Sequence, residues 1–259
     1  MDMPKVSIII TTFLPESKNY LDLTIKSIRN LNYPADKLDV ILVGKKGYIP
    51  EFEGVRSMAP DLEKFANPVG VNFGMKAAHA DSKYVMLLND DVILTRDSLQ
   101  NMVLSMPQGP CIMGCLSNCD NYYKYVLELG FMKENTAFIL QKRYYKFEEL
   151  EAYQDDLMNT GSYYPSGLIL TDTLCMYANL IPKNLWDSLG GFDEGFGTGA
   201  DDIDFCIRAK KLGAHMLIAL NSLIFHFGGG STNTTLTPEM REETQVYFHS
   251  KWGYRCDGK

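Results

Sequence analysis

The sequence predicts an α/β protein in which helices flank a mixed, mostly parallel central sheet. Residues 6–11 form a β-branched apolar run, residues 38–43 form a second run, and apolar residues at helical spacing lie between them. A strand, a helix and a strand in this order indicate a parallel pair with a crossover connection. The chain has 259 residues, of which 46% are hydrophobic and 22% charged, so it is long enough to bury one large core.

The elements of the first half follow from their periodicity. The helical spacing is carried by Leu21, Ile25, Ile28 and Leu31, which predict an amphipathic helix of about 16 residues. Residues 69–80 place Gly and Ala at helix-compatible positions, and residues 84–88 form a third buried strand. A further helix is predicted over residues 97–105, with Asp97 or Ser98 as its N-cap.

The second half is less regular, and residues 109–166 hold short strand-like runs with many tyrosines. The elements predicted after it are a strand at 171–180, helices at 183–189 and 201–212, and short strands at 216–220 and 223–227. Thr237 and Pro238 open a last helix that runs towards Trp252, because they suit the N-cap and first helical positions. No repeat or clear linker divides the chain.

Composition excludes several classes of protein. The formal charge of −7 argues against a nucleic-acid surface, which requires clustered Lys and Arg. No window approaches the roughly 20 apolar residues of a membrane-spanning helix, and the N-terminus lacks the segments of a signal peptide. The six cysteines form no CxxC pair and no typical zinc spacing, which indicates reduced thiols. We therefore expect a cytoplasmic protein, for which peripheral membrane contact stays open.

Carboxylates cluster at two places in the chain. Asn89, Asp90 and Asp91 follow the predicted strand at 84–88, where open α/β sheets bind ligands, and suit a divalent cation that bridges two phosphates. A solvated acidic turn is the alternative. Farther along, a glycine-rich turn leads to Asp201 and Asp202 at the start of a predicted helix. These acids predict a catalytic base, or alternatively a cap that complements the helix dipole.

His226 ends a short apolar run and precedes Gly-Gly-Gly-Ser at residues 228–231. Its imidazole could complete a metal shell or contact a diphosphate, since the backbone amides of such a loop can approach phosphates. A structural histidine is the alternative.

Five segments together resemble family 2 glycosyltransferases over nearly the whole chain. They are residues 6–13, 87–92, 189–194, 201–204 and His226 with the loop at 228–231. The resemblance implies a single domain of the GT-A fold, with a nucleotide-binding half at about 1–105, an acceptor-binding and catalytic half at about 106–235, and a C-terminal helix at about 236–259. It also implies an enzyme that transfers sugar from a nucleotide-sugar with inversion at the anomeric carbon.

Carried over residue by residue, the resemblance makes Asp91 the carboxylate ligand of Mn²⁺ or Mg²⁺ and Asp202 the general base. Asn89 and Asp90 would lie near the ribose and diphosphate, and His226 would complete the metal shell or contact the donor. The further candidates to line the nucleotide pocket are Thr11, Phe13 and Asn72.

One position departs from the family pattern. Many relatives have an aspartate after the second strand that contacts the nucleotide base, and this chain has Gly44 there. UDP-, dTDP- and GDP-linked donors therefore all stay open. The acceptor is expected to be a glycan or lipid-linked glycan, and the tyrosines of the middle segment either stack on its sugar rings or pack an irregular sheet edge.

Three other functions compete with this interpretation. A catalytically silent relative would only bind nucleotide-sugars or scaffold a partner. A sugar-phosphate nucleotidyltransferase would need a glycine-rich basic loop after the first strand, and residues 11–17 do not form that loop. A dinucleotide-binding oxidoreductase is disfavoured because no GxGxxG follows the first strand.

Overall fold

The computed structural model describes residues 2–12, 18–47, 49–61, 66–118, 167–197, 199–227 and 237–257. The strands are β1 (Val6–Thr12), β2 (Leu38–Gly44), β3 (Val55–Met58), β4 (Tyr84–Asn89), β5 (Val92–Leu94), β6 (Cys111–Ser117), β7 (Leu168–Thr171), β8 (Ala178–Pro182) and β9 (His215–His226). The α-helices are α1 (Lys18–Arg29), α2 (Asn67–Lys76), α3 (Ser98–Ser105), α4 (Lys183–Leu189), α5 (Asp201–Lys211) and α6 (Pro238–Trp252). A 3₁₀ turn, Ala35–Lys37, precedes β2.

All nine described strands join one sheet in the order β3-β2-β1-β4-β8-β6-β9-β5, and β7 also pairs with β9. Strands β1 to β4 run parallel, as the repeated strand–helix pattern predicts. The sheet becomes mixed at β8, which is antiparallel to β4 and β6. Strands β6 and β9 are parallel to each other, and β5 and β7 are antiparallel to β9.

Both faces of the sheet are buried, which explains the continuous apolar runs in its parallel strands. Ile9 of β1 belongs to one apolar cluster, whereas its neighbours Ile8 and Ile10 belong to the other. Helix α1 covers the face of Ile8 with Leu21, Ile25 and Ile28. Helix α2 covers the opposite face with Val71 and Met75. The predicted helices therefore lie on opposite sides of the sheet.

The strand predicted over residues 171–180 is wrong. Strand β7 ends at Thr171 and β8 begins at Ala178, and the connection between them contains no strand. Leu174, Met176 and Tyr177 are buried within this connection. Their apolar pattern reflects the burial of their side chains, not backbone pairing with a neighbouring strand.

The two short strands predicted at 216–220 and 223–227 are one strand, β9, with an irregularity at its centre. Ala219 pairs with Cys115 and Leu223 with Leu116, so residues 220–222 bulge out of the register with β6. The polar residues Asn221 and Ser222 suggest a turn, but both residues form hydrogen bonds with helix α3 and remain within the strand. Asn101 Nδ2 donates to Asn221 O, and Ser222 Oγ donates to Ser98 O.

Cys111 and Cys115 lie in β6, where both are buried in the same apolar cluster. Several residues named from the sequence lie outside the described residues. They are Cys119, Phe13, the glycine loop at 228–231 and the tyrosines between 122 and 164.

In the part of the chain that the structure covers, no helix combines the length and apolar composition needed to cross a bilayer.

Candidate active site

The carboxyl ends of β1, β2 and β4 meet at one edge of the sheet. Thr11 pairs in register with Asn89, and Thr12 pairs with Gly44. The chain turns at Asp90 and Asp91 and then enters β5, where Val92 pairs with His226. This edge is where open α/β sheets bind ligands.

Asp91 and His226 form a buried pair at this edge. His226 Nε2 lies 3.1 Å from Asp91 Oδ1, and the two side chains are 12% and 5% exposed. Asn89 Nδ2 lies 3.4 Å from the same imidazole nitrogen. The backbone reinforces the pair because Phe227 N donates to Asp91 O at 3.0 Å. The structure therefore brings together three residues that the sequence assigns to the donor site.

Two residues that the sequence did not single out hold His226 in place. The side chain of Asn118 accepts a hydrogen bond from His226 N at 2.7 Å and donates one to His226 O at 3.0 Å. The ring of Tyr177 lies 4.9 Å from the imidazole, centroid to centroid. No sequence motif marks these two residues, because they act from an irregular loop and from the end of β6.

The chemistry of the Asp91–His226 pair fits a divalent cation. A carboxylate oxygen and an imidazole nitrogen 3.1 Å apart are close enough to bind one ion together. No group of three or more metal-binding side chains occurs among the described residues. Such a site suits an ion whose remaining ligands are substrate phosphates and water, which is the usual mode of Mg²⁺ binding beside nucleotides.

The glycine-rich turn follows helix α4 and is fixed by Asn72. Gly190 and Gly191 have φ values of 72° and 83°, which favour glycine. Asn72 Nδ2 donates to Phe192 O, and Phe192 N donates to Asn72 Oδ1, each at 2.9 Å. Asn72 Nδ2 also lies 2.9 Å from Glu194 Oε1. The structure thus places Asn72 against this turn, and its predicted role in the nucleotide pocket stays a prediction.

Helix α5 begins with the acidic pair. Ala200, just before it, adopts a left-handed conformation with φ of 60°. Asp201 is buried, and its Oδ1 accepts a hydrogen bond from Gly199 N at 3.1 Å. Its Oδ2 accepts one from Asn67 Nδ2 at 3.2 Å, and Asn67 Oδ1 accepts one from Thr11 Oγ1 at 2.9 Å. We name these three residues, Thr11, Asn67 and Asp201, the polar relay. It joins the end of β1 to the start of α5.

Asp202 has fewer hydrogen bonds than Asp201. Its Oδ1 accepts a hydrogen bond from Ile203 N at 2.8 Å, and its side chain is partly buried. Burial of the carboxyl, and then the neighbouring charge of Asp201, raise the pKa of Asp202 to about 7. A carboxylate with such a pKa is well matched to taking a proton near neutral pH.

Charged residues lock α5 to α6 and to the glycine-rich turn. Asp204 is fully buried and accepts hydrogen bonds from Arg208 Nε at 2.7 Å and Trp252 Nε1 at 3.0 Å. Lys251 Nζ lies 2.7 Å from Asp204 Oδ1 and also pairs with Asp193 of the turn. Arg208 of α5 and Lys251 of α6 therefore share one buried carboxylate.

A match to glycosyltransferase-like family 2 extends over residues 4–248. The chain belongs to this family. A search of curated proteins finds no match to the sequence. The sequence-based identification of the family, and of a glycosyltransferase domain, is therefore confirmed.

Solved structures of GT-A glycosyltransferases share the fold. The mannosyltransferase PcManGT from Pyrobaculum calidifontis, in complex with GDP-Man and Mn²⁺, is 15% identical with a TM-score of 0.57, and the match covers 87% of this chain and 57% of that one. TarS 1-349 of S. aureus is 10% identical with a TM-score of 0.58, covering 96% and 72%. The longer TarS structure is 12% identical with a TM-score of 0.58, covering 95% and 39%. The predicted GT-A fold is confirmed.

The family's base-contacting aspartate has no room at position 44. A Cβ atom on Gly44 would lie 2.9 Å from Ile49 Cγ1 and from Thr12 Cγ2, and 3.2 Å from Thr12 O. The side chain of Ile49 occupies the space that the aspartate would need. In this protein, the side chains of Ile49 and Thr12 therefore fill the space beside Gly44.

We expect Gly44→Asp to lower stability by about 1–3 kcal/mol because of this overpacking, without improving donor binding. The denaturation midpoint measures the first effect, and nucleotide-sugar thermal shifts measure the second. Gly44→Ala is the matched control, since it adds the crowded methyl group without the charge and should carry most of the cost. A Gly44→Asp protein of unchanged stability and higher donor affinity would contradict this interpretation.

Proposed function

We propose that the protein is an inverting, metal-dependent glycosyltransferase that moves a sugar from a nucleotide-sugar to a hydroxyl group of a glycan or lipid-linked glycan. The observation that carries the proposal is the arrangement of two different acidic sites on one sheet edge. Asp91 pairs with His226, and Asn89 contacts the same imidazole. Asn89 also pairs with Thr11, whose relay leads to the acidic start of α5.

Asp202 is the proposed general base of a single displacement. Its carboxylate takes the proton of the acceptor hydroxyl as the hydroxyl oxygen attacks the anomeric carbon. The bond from that carbon to the diphosphate oxygen breaks, and its electron pair leaves with the nucleoside diphosphate. Attack opposite to the leaving group inverts the configuration, and no covalent enzyme intermediate forms.

Asp91 and His226 are the proposed ligands of Mn²⁺ or Mg²⁺, with Asn89 and Asp90 beside the donor. When bound, the ion would neutralise the negative charge that develops on the departing diphosphate. The presence of Mn²⁺ and GDP-Man in the structure of PcManGT supports the use of a divalent metal with a nucleotide-sugar donor. At 15% identity that likeness concerns the fold, so UDP-, dTDP- and GDP-linked donors all enter the test.

The test of the proposed function is release of nucleoside diphosphate from a panel of UDP-, dTDP- and GDP-sugars, with Mn²⁺ or with EDTA. Release by the parent protein that requires the metal would support a working transferase and identify its donor. Binding of a donor without any turnover across candidate glycan acceptors would favour a silent nucleotide-sugar-binding relative. The absence of any binding would overturn the proposed donor class.

Asp91→Asn is expected to lower metal-dependent turnover by about 100-fold or more, because the variant loses the charged ligand that opposes the developing phosphate charge. Titration of Mn²⁺ at saturating donor measures the effect, and we expect a higher Mn²⁺ requirement. Asp81→Asn is the matched control, since Asp81 is exposed at the opposite end of β4. An Asp91→Asn protein with the parent's metal dependence would exclude Asp91 as a ligand.

We also propose a cytoplasmic location with peripheral membrane contact when the acceptor is lipid-linked. The proposal is supported by the six cysteines, which form no CxxC pair and no typical zinc spacing and are therefore expected to be reduced thiols.

A further inference from the structure

The polar relay gives the two acids of α5 unequal environments. Each carboxylate oxygen of Asp201 accepts a hydrogen bond, one from Gly199 N and the other from Asn67 Nδ2. Hydrogen bonds to a carboxylate favour its ionised form. For Asp202, the described hydrogen bond comes from the backbone of the next residue, Ile203.

Asn67 can stabilise Asp201 only while its amide keeps one orientation. Thr11 Oγ1 donates to Asn67 Oδ1, so the oxygen of the amide faces β1 and the nitrogen faces Asp201. Pro68, the next residue of α2, is buried, and so is Thr11. The end of β1 therefore fixes the donor that reaches the buried acid.

We propose that Asn67 is a positioning residue for the general base, because its amide, oriented by Thr11, favours the ionised form of Asp201 beside Asp202. The ionised Asp201 makes loss of the proton from Asp202 harder, so Asp202 remains a strong base near neutral pH. This inference rests on the proposed role of Asp202 as the base. It gives a function to Asn67, which no motif of the sequence singled out.

The groups that face the pair support this assignment. Burial is the largest influence on the pKa of both acids and leaves both pKa values raised, and the hydrogen bond from Asn67 is the largest influence that opposes this rise at Asp201. When Asp201 is ionised, its charge raises the pKa of Asp202. Cys206, one helical turn farther along α5, is a buried thiol whose pKa burial raises to about 12, so it stays neutral.

The test is the pH profile of donor turnover, expressed as kcat/KM, for the parent and for Asn67→Ala. Without the amide, Asp201 retains its proton to higher pH and no longer opposes ionisation of Asp202. The acidic limb of the profile is then expected to move to lower pH by about one unit, with a reduced plateau because Asp202 is a weaker base. A limb that stays in place while the rate falls would overturn the proposal, because a merely structural role predicts that result.

Two further variants complete the experiment. Asn67→Asp keeps the size of the side chain and suits the first turn of a helix, so it guards against a failure of Asn67→Ala to fold. Its carboxylate cannot donate to Asp201 and repels the charge of that acid, so Asp201 again keeps its proton to higher pH, the limb is expected at lower pH as in Asn67→Ala, and a limb at the parent's pH would contradict the proposal. Asn184→Ala is the matched control, since Asn184 is exposed on α4 and should leave the profile unchanged.

The proposed function can fail separately from this inference. If Asp202→Asn turns over donor and acceptor at the parent's rate, Asp202 is not the base and the proposed mechanism is wrong. If Asp202→Asn is inactive but Asn67→Ala keeps the parent's limb, the mechanism stands and the role of Asn67 is wrong.

Discussion

Asp202→Asn is expected to abolish sugar transfer and, at the same time, to make the folded protein more stable. The amide cannot take the proton of the acceptor hydroxyl, and loss of a general base costs about 10²–10⁴-fold in rate. Donor binding should persist, because the proposed metal and diphosphate ligands lie on β4, on the turn between β4 and β5, and on β9. Single-turnover rates with saturating donor and acceptor measure the loss.

The stability gain follows from the sign of the pKa shift. The pKa of Asp202 is raised to about 7 in the folded protein, above the value of about 3.9 expected in the unfolded chain. Ionisation of Asp202 therefore costs folding free energy progressively as pH rises from about 4 to about 7, and this cost persists at higher pH. Asp202→Asn removes the cost, so its melting temperature should exceed the parent's by several degrees at pH 8 and converge with it near pH 4.

Asp22→Asn is the matched control for both readouts, since Asp22 is exposed on α1. It should change neither the rate nor the pH dependence of melting. If Asp202→Asn loses activity but melts below the parent at pH 8, the carboxyl stabilises the fold and its proposed basicity is wrong.

Asp204→Ala is expected to lower the free energy of unfolding by about 3–5 kcal/mol. The substitution removes the carboxylate that pairs with Arg208 and Lys251 and accepts the hydrogen bond of Trp252 Nε1. Breaking a buried ion pair by removing one partner leaves the other charge in a poorly solvated site, which makes the loss large. Chemical denaturation at constant pH measures it.

The surface pair of α4 supplies the comparison. Lys183 Nζ lies 2.7 Å from Asp187 Oδ2, and the aspartate side chain is 55% exposed. Asp187→Ala should therefore cost only about 0.5 kcal/mol, since exposed pairs at this helical spacing contribute little. Equal losses for the two alanine variants would show that Asp204 is not a central tie between α5 and α6.

The parallel half of the sheet was predictable because its signals are local. Strands β1, β2 and β4 are apolar runs buried on both faces, and Leu21, Ile25 and Ile28 mark the buried side of α1. Each signal survives in the structure because one short segment contains all the residues that produce it.

The irregular half was harder to predict because its determinants are contacts between distant segments. Asn221 and Ser222 are polar residues in the centre of β9, and only their hydrogen bonds to α3 allow the strand to pass through them. Leu174 is buried without belonging to a strand, so its apolar character misled the prediction of residues 171–180.

The residues of the candidate site also differ in how readily the sequence predicts them. The acidic motifs made Asp91 and Asp202 candidates, because family patterns consist of contiguous residues. Asn67 and Asn118 escaped notice because an asparagine becomes informative only when its partner is known. Their partners, Asp201 and His226, lie far away in the sequence.

The position of β8 has a consequence for how the protein folds. This strand separates β4 from β6, and its pairing with β4 joins Leu88 to Ala178 across a long stretch of chain. Closing long loops is slow, so β1, β2 and β4 are expected to assemble early while β8 docks late. Until β8 docks, β4 and β6 present unpaired backbone edges to other molecules. These two edges are therefore the surfaces through which nascent chains are expected to aggregate, and chaperones would need to shield them.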